Sequence, residues 1–192
     1  MSVYKLTAYP RTHTLRDGRQ VAIRPLEGRD KDALTSFFLR VPEDERRYLK
    51  QDVTSPRTIA AFCDHLDYDR ALPLVAVDRD RIVADAVLLR SRHGAYREIG
   101  TVRAVVDPDY RAVGLGTALL RDLCDVAADA ELEKVTAELI AGVQDDAIEA
   151  MEQLGFIRAA TVHEFVRDEH GHAHDMILMV LPLGKWYQWL QF

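Results

Sequence analysis

The chain of 192 residues carries only two cysteines, Cys63 and Cys124, which excludes a disulfide framework. Both fall on the apolar side of helix-like patterns, as free thiols buried in a reducing cytoplasm would. Excess positive charge is also missing. The 25 Lys and Arg face 31 Asp and Glu, for a net charge of −6. A dedicated nucleic-acid binder carries a basic face and is excluded on that ground. No apolar run approaches the roughly 20 residues that cross a bilayer, and Met1-Ser-Val-Tyr-Lys-Leu6 lacks the apolar centre of a signal peptide. Repeats and low-complexity tracts are absent. Hydrophobic residues make up 48%, enough to fill a core. The expectation is a cytoplasmic protein of one domain with an extension, not a membrane protein.

What the chain does have is Val102-Arg-Ala-Val-Val-Asp-Pro-Asp-Tyr-Arg-Ala-Val-Gly-Leu-Gly-Thr117. An apolar, β-branched run stops at Asp107-Pro108, and a glycine-bearing turn spans Arg111 to Gly116. Leu119, Leu120, Leu123, Cys124 and Ala127 then recur at helical spacing. Strand, turn and helix in this order leave the first N–H groups of the helix unpaired at its positive dipole end, which is a site for phosphate. Gly114 and Gly116 remove the Cβ that would bar close approach, and Arg111 adds positive charge. A P-loop would need a lysine after Gly116, where Thr117 stands. A dinucleotide fingerprint would need glycine at 119, where Leu stands.

Around this stretch the pattern reads β-α-α-β-β-β-α-β-α-β-β. Strands are expected at 21–26, 72–77, 82–89, 98–106, 135–140, 156–166 and 176–181. Helices are expected at 30–41, 55–66, 115–130 and 145–154, the last closed by Gly155. The third helix joins two strands as a βαβ unit, which demands parallel pairing. The predicted fold is therefore α/β (α+β), a mixed, mostly antiparallel sheet with one parallel pair and four helices. Residues 1–20 read as an N-terminal extension, 21–182 as the domain, and 183–192 as an aromatic C-terminal tail.

The Arg-x-x-Gly-x-Gly loop, the order of elements and Glu152-Gln-Leu-Gly-Phe156 together resemble the GNAT superfamily of N-acetyltransferases, over roughly residues 20–182. Asp17-Gly-Arg-Gln-Val-Ala-Ile-Arg-Pro25 and Arg167-Asp-Glu-His-Gly-His-Ala-His-Asp-Met176 are similar to the bacterial protein-lysine acetyltransferase-like branch. The resemblance implies a GNAT-like sheet whose two central parallel strands splay apart. The pantetheine arm of acetyl-CoA would enter that gap along the backbone of Val105 and Val106. Its pyrophosphate would sit on the loop Arg111, Ala112, Val113, Gly114, Leu115, Gly116 and Thr117. An N–H near Val106 would polarise the thioester carbonyl, and the helix from Gln144 onward would flank the other side. Acetyl-CoA is the expected co-substrate, and no metal is expected.

An amine with a pKa of about 10 must lose a proton before it attacks. Related enzymes often place a Glu base on the strand before the loop and a Tyr acid in the last helix; the matching positions are Thr101 and Met151. Glu138, inside an apolar strand, is a candidate functional carboxylate if Val135 and Ala137 face the core, or else an ion-pair partner. Glu98 is a substitute base or a solvated strand-end carboxylate. Tyr110 reads as a packing residue.

His170, His172 and His174 alternate, so on a strand they share a face. Such a set binds metal in some proteins and is incidental to a hairpin in others. Arg79, Arg81, Arg90, Arg92 and Arg97 gather at hairpin ends, to attract phosphates or an acidic acceptor, or as a solvated surface. The tail Lys185–Phe192 packs on its own domain, buries in a homodimer, or covers the acceptor site. Two functions follow. One is acetyl transfer from acetyl-CoA to a primary amine, on a small molecule or a protein lysine. The other is an acyl-CoA sensor without turnover.

Overall fold

The computed structural model describes Tyr4 and residues 6–184. In chain order the strands are β1 Arg11–Thr14, β2 Gln20–Pro25, β3 Ala71–Asp78, β4 Arg81–Arg90, β5 Ile99–Val106, β6 Lys134–Ile140, β7 Ile157–Arg167 and β8 Ala173–Pro182. The helices are α1 Lys31–Arg40, α2 Glu43–Arg46, α3 Pro56–Asp64, α4 Leu115–Asp129 and α5 Asp145–Gln153. The strands form one sheet in the order β1-β2-β3-β4-β5-β6-β8-β7. Every pairing is antiparallel except β5 with β6. The fold is mixed α/β with the parallel pair at its centre, as the sequence pattern implies.

Two elements go beyond that pattern. Residues 11–14, read as part of a polar extension, form edge strand β1, which pairs with β2 across a turn containing Gly18 at φ +88°. The four-residue helix α2 follows Pro42, so there are five helices among the described residues rather than four. The aromatic tail from Lys185 lies outside the described residues.

Alternation along the strands divides the core in two. On one face, Leu115, Leu119, Leu123 and Ala127 of α4 and Ile148 and Met151 of α5 pack against Leu74, Ala86, Val102, Val135 and Met179. On the other face, Leu34, Phe37 and Phe38 of α1 and Ile59 and Cys63 of α3 cover Val75 and Ile82. Each large side chain so buried contributes about 1.5–3 kcal/mol.

The central parallel pair is short. Ile99, Gly100 and Thr101 pair with Lys134, Val135 and Thr136, and pairing stops there. β4 continues to hold β5 as far as Val106, and β8 holds β6 as far as Ile140. Each strand thus follows its outer neighbour, and a gap opens between residues 102–106 and 137–140. Asp107 anchors one side of it. Its N–H donates to Val83 O at 2.9 Å. Its buried carboxylate takes Arg40 Nε at 2.7 Å and an Arg81 nitrogen at 2.8 Å. The end of β5 is thereby held to β4 and α1, away from β6.

Candidate active site

At the mouth of the gap the chain turns from β5 into α4. Ala112 and Gly114 both have positive φ, +57° and +89°, so the turn curls around Val113. Left-handed residues in such a turn aim successive N–H groups into one concavity. The first helical bond of α4 is Ala118 N–H to Gly114 O at 3.0 Å. The N–H groups of residues 113–117 donate to no backbone acceptor among the described residues. A Cβ added at Gly116 would stand 3.3 Å from Val106 Cγ2, which shows how tightly the helix start sits on β5. These unpaired donors, at the dipole end of a fifteen-residue helix, form an anion cradle.

The arginine the motif points to, Arg111, is ion-paired at the mouth of the gap. Arg111 donates from Nε to Val106 O at 3.1 Å, and its two terminal nitrogens each bind a Glu45 carboxylate oxygen at 2.7 Å. Its charge is taken by α2. Arg16, at the β1–β2 turn, lies against the loop instead. Its N–H bonds Val113 O at 3.1 Å, and its Nε is 3.6 Å from where a Cβ of Gly114 would be. The exposed Arg16 guanidinium makes no ion pair among the described residues. Nothing local in the sequence marks Arg16, because a pairing of β1 with β2 brings it there.

Backbone orientation corrects one expectation about the gap. The bond from Asp107 N–H to Val83 O, with Val105 opposite Asp85, makes Asp85/Val105 the hydrogen-bonded pair of the antiparallel ladder. The polar backbone groups of Val105 therefore face β4 and are not available to a ligand in the gap. Those of Ala104 and Val106 face the gap. Gln144 also differs from expectation. Its amide oxygen accepts Ile140 N–H at 2.8 Å and closes the turn after β6, which leaves its amide nitrogen and the second lone pair of that oxygen for a ligand.

Beneath the gap, Thr101 Oγ1 and Thr136 Oγ1 meet at 3.0 Å, closing the apex with two hydroxyls and no carboxylate. Met151 is core, 3% exposed. Glu98 precedes β5, four residues before the gap begins, about 13 Å along the strand. It pairs with Arg97 at 3.1 Å and is placed away from the gap, at the strand end. Glu138 does lie beside the gap, on the face opposite the buried Val135 and Ala137. Its carboxylate is held by Lys50 Nζ at 2.5 Å. Tyr110 is buried and donates to Asp78 at 2.5 Å; burial and that carboxylate push its hydroxyl pKa up.

Lys50 and Glu45 belong to one segment, residues 43–54, that crosses the gap on the α1 face. Glu45 grips Arg111, Lys50 grips Glu138, and Arg47 reaches Glu169 at 3.3 Å. Tyr48 meets His174 edge-on, 6.3 Å between ring centres. The histidine cluster folds around Asp168 rather than around a vacant centre. His172 Nδ1 lies 3.1 Å and His174 Nε2 3.4 Å from that carboxylate. Burial opposes ionisation of Asp168, but the combined bonds from His172, His174 and His170 outweigh it and hold its pKa well below the usual range. Among the described residues no three His, Cys, Asp or Glu side chains are grouped to hold a metal ion.

The chain is similar to known proteins in sequence and in fold. Residues 36–156 match the acetyltransferase (GNAT) family. A curated acetyltransferase of Pseudomonas aeruginosa is 33% identical over 120 residues, 59% of this chain and 63% of that protein. The chain thus spans about 63% of the length of that relative. The GNAT domain of S. lividans PAT superposes with a TM-score of 0.73 at 21% identity, over 92% of this chain and 98% of that one. RimJ of Mycobacterium smegmatis, solved in complex with CoA-disulfide, gives 0.70 at 19% identity, over 91% and 88%. With the loop, the split parallel pair and a family match over residues 36–156, the chain belongs to the GNAT family of acetyltransferases.

Proposed function

We propose that this protein transfers the acetyl group of acetyl-CoA to a primary amine, on a small molecule or a protein lysine, by direct attack of the amine on the thioester. One observation carries the reading: the gap between β5 and β6 opens directly onto the unpaired N–H groups at the start of α4. The pyrophosphate fits the cradle of residues 113–117, beside Arg16. The pantetheine amides fit the inward-facing backbone of Ala104 and Val106, as an added strand would. The N–H of Val106 then faces the thioester oxygen and stabilises the charge that develops there. The thioester supplies the activated acetyl carbon, and the acceptor enters on the α1 face, under the segment 43–54. With Met151 in the core, no side chain of α5 donates a proton to the departing thiolate, which takes one from water. Free, buried Cys63 and Cys124 support a cytoplasmic setting.

The positions of Thr101 and Met151 favour a second reading, a domain that binds acyl-CoA without turnover. Calorimetry with acetyl-CoA and thiol release against a panel of amines separate the two. Binding with amine-dependent thiol release supports transfer. Binding with none supports a sensor. If Gly114→Val leaves acetyl-CoA affinity unchanged, the cradle is misplaced and both readings fall.

A further inference from the structure

On the α1 face of the sheet, six residues of β4 and β5 stay half-buried: Asp85, Val87 and Leu89 beside Val105, Arg103 and Thr101. They make the floor of a shallow trough between two walls: a cavity of about 700 Å³ lies at its Leu89 and Thr101 end, and Val105 packs against the α1 and α3 cluster at the other. A carboxyl and a guanidinium sit in its floor. Neither the Asp85 carboxyl nor the Arg103 guanidinium makes a hydrogen bond or ion pair among the described residues. Elsewhere in this protein carboxylates and guanidinia are paired freely, Asp30 with Arg24 and Asp107 with Arg40 and Arg81 among them. A half-buried charge without a partner costs stability and is kept where a ligand supplies the partner.

Resting on the transferase reading above, we propose that this trough is the acceptor site, that Asp85 takes the proton of the attacking amine, and that Arg103 holds a carboxylate on the same acceptor. The acceptor class is then a primary amine bearing a nearby carboxylate. Asp85 stands one strand, about 4.8 Å, from β5, whose far edge lines the gap, so bridging water relays a proton between its carboxyl and an amine poised over the thioester. The nitrogen forms its bond to the acetyl carbon as the carbon–sulfur bond breaks. The nitrogen's proton passes through that water to Asp85, and CoA thiolate leaves and is protonated by solvent.

The surroundings suit a base. Phe37, Phe38, Ile59 and Val75 make the adjoining wall apolar. Burial alone pushes the Asp85 carboxyl up from 3.8 to about 7. The ionisable groups facing it are few: the Cys63 thiol of α3, Arg103 of β5, and, along the same row of β2, Arg24, which Asp30 already neutralises. The cavity lining adds Arg70, while Arg90 is held by the Arg97 carbonyl at 3.3 Å and Arg92 by Asp67 at 2.6 Å; the balance of charge favours an anionic acceptor.

The test measures thiol release by the full chain with primary amines matched in pairs, each with and without a carboxylate, at pH 5.5–9. Acetyl-CoA affinity is followed by calorimetry. The parent should prefer the carboxylate-bearing partner, and its kcat/KM should rise with an inflection near 7. Asp85→Asn should lose about 10²–10⁴-fold in kcat and the inflection with it, at unchanged acetyl-CoA affinity, and Asp85→Glu should restore part of the rate. Arg103→Gln should raise KM about tenfold for carboxylate-bearing amines and leave their matched partners unaffected. A parent that releases no thiol with any amine overturns the transferase reading and this proposal together. A parent that transfers acetyl while Asp85→Asn keeps rate and pH profile overturns the Asp85 assignment alone. Equal KM changes for both members of a pair in Arg103→Gln overturn the acceptor class.

Discussion

Glu45 holds Arg111 through two bonds of 2.7 Å, so the arginine of the glycine loop is neutralised by the segment that crosses the gap. The pair joins the anion cradle to the acceptor face. A polyanion arriving at the loop meets the Glu45 carboxylate close by, and removing that carboxylate releases Arg111 toward the phosphates. Glu45→Gln should tighten acetyl-CoA binding about 3–10-fold at low salt, an advantage that shrinks at high salt. Stability should move by less than about 1 kcal/mol, because both partners are more than a third exposed. Calorimetry at two ionic strengths checks it; an unchanged or weaker affinity contradicts the competition.

Among the described residues, Arg16 is a cation at the cradle with no ion-pair partner. Arg16→Gln should weaken acetyl-CoA binding about tenfold and flatten its salt dependence, with no change in melting temperature. Gly114→Val should be more severe, because φ of +89° strains any branched residue and its side chain meets Arg16. An Arg16→Gln variant with parental affinity and salt slope would return the phosphate role to Arg111.

Asp107 predicts acid sensitivity. Burial pushes its carboxyl up, but bonds from Arg40, Arg81 and Asp109 N–H outweigh burial, and its pKa is lowered. A lowered folded-state pKa contributes stability above the unfolded value of about 4, and that stability is lost as pH falls through the folded pKa. Asp107→Ala should cost about 2–4 kcal/mol at pH 7 by leaving Arg40 with backbone carbonyls alone and Arg81 with Asp109 at 3.5 Å, and much less near pH 2. Urea melts at both pH values decide it; equal losses would locate the effect in packing instead.

Asp85 predicts the opposite slope. Its pKa is raised to about 7, so the folded protein favours the protonated form. Stability tied to that proton is complete below the unfolded value of about 4 and is lost as pH rises through about 7. Asp85→Asn should therefore melt near the parent at pH 4 and above it at pH 8, by at most about 4 kcal/mol. A variant less stable than the parent at pH 8 would mean that the carboxylate has an ionic partner in the fold.

Much of this architecture is legible along the chain. Alternation at Val135 and Ala137, helical spacing from Leu119 to Ala127 and the stop at Gly155 are local patterns. They place strand, helix and turn within a few residues. Residues 11–14 escaped such reading because Arg-Thr-His-Thr is polar on both faces, as an exposed edge strand is. The four-residue α2 is too short to show a period.

The glycine loop belongs to the sequence, since its N–H groups are freed by a strand, a turn and a helix that follow one another within sixteen residues. Which charges stay available to a ligand was settled by tertiary structure. Arg111 is taken by Glu45 and Glu138 by Lys50, while Arg16, Arg103 and Asp85 keep no partner among the described residues. Ion pairs are chosen by spatial neighbours 66 and 88 residues away, and no local period in the chain encodes such distances.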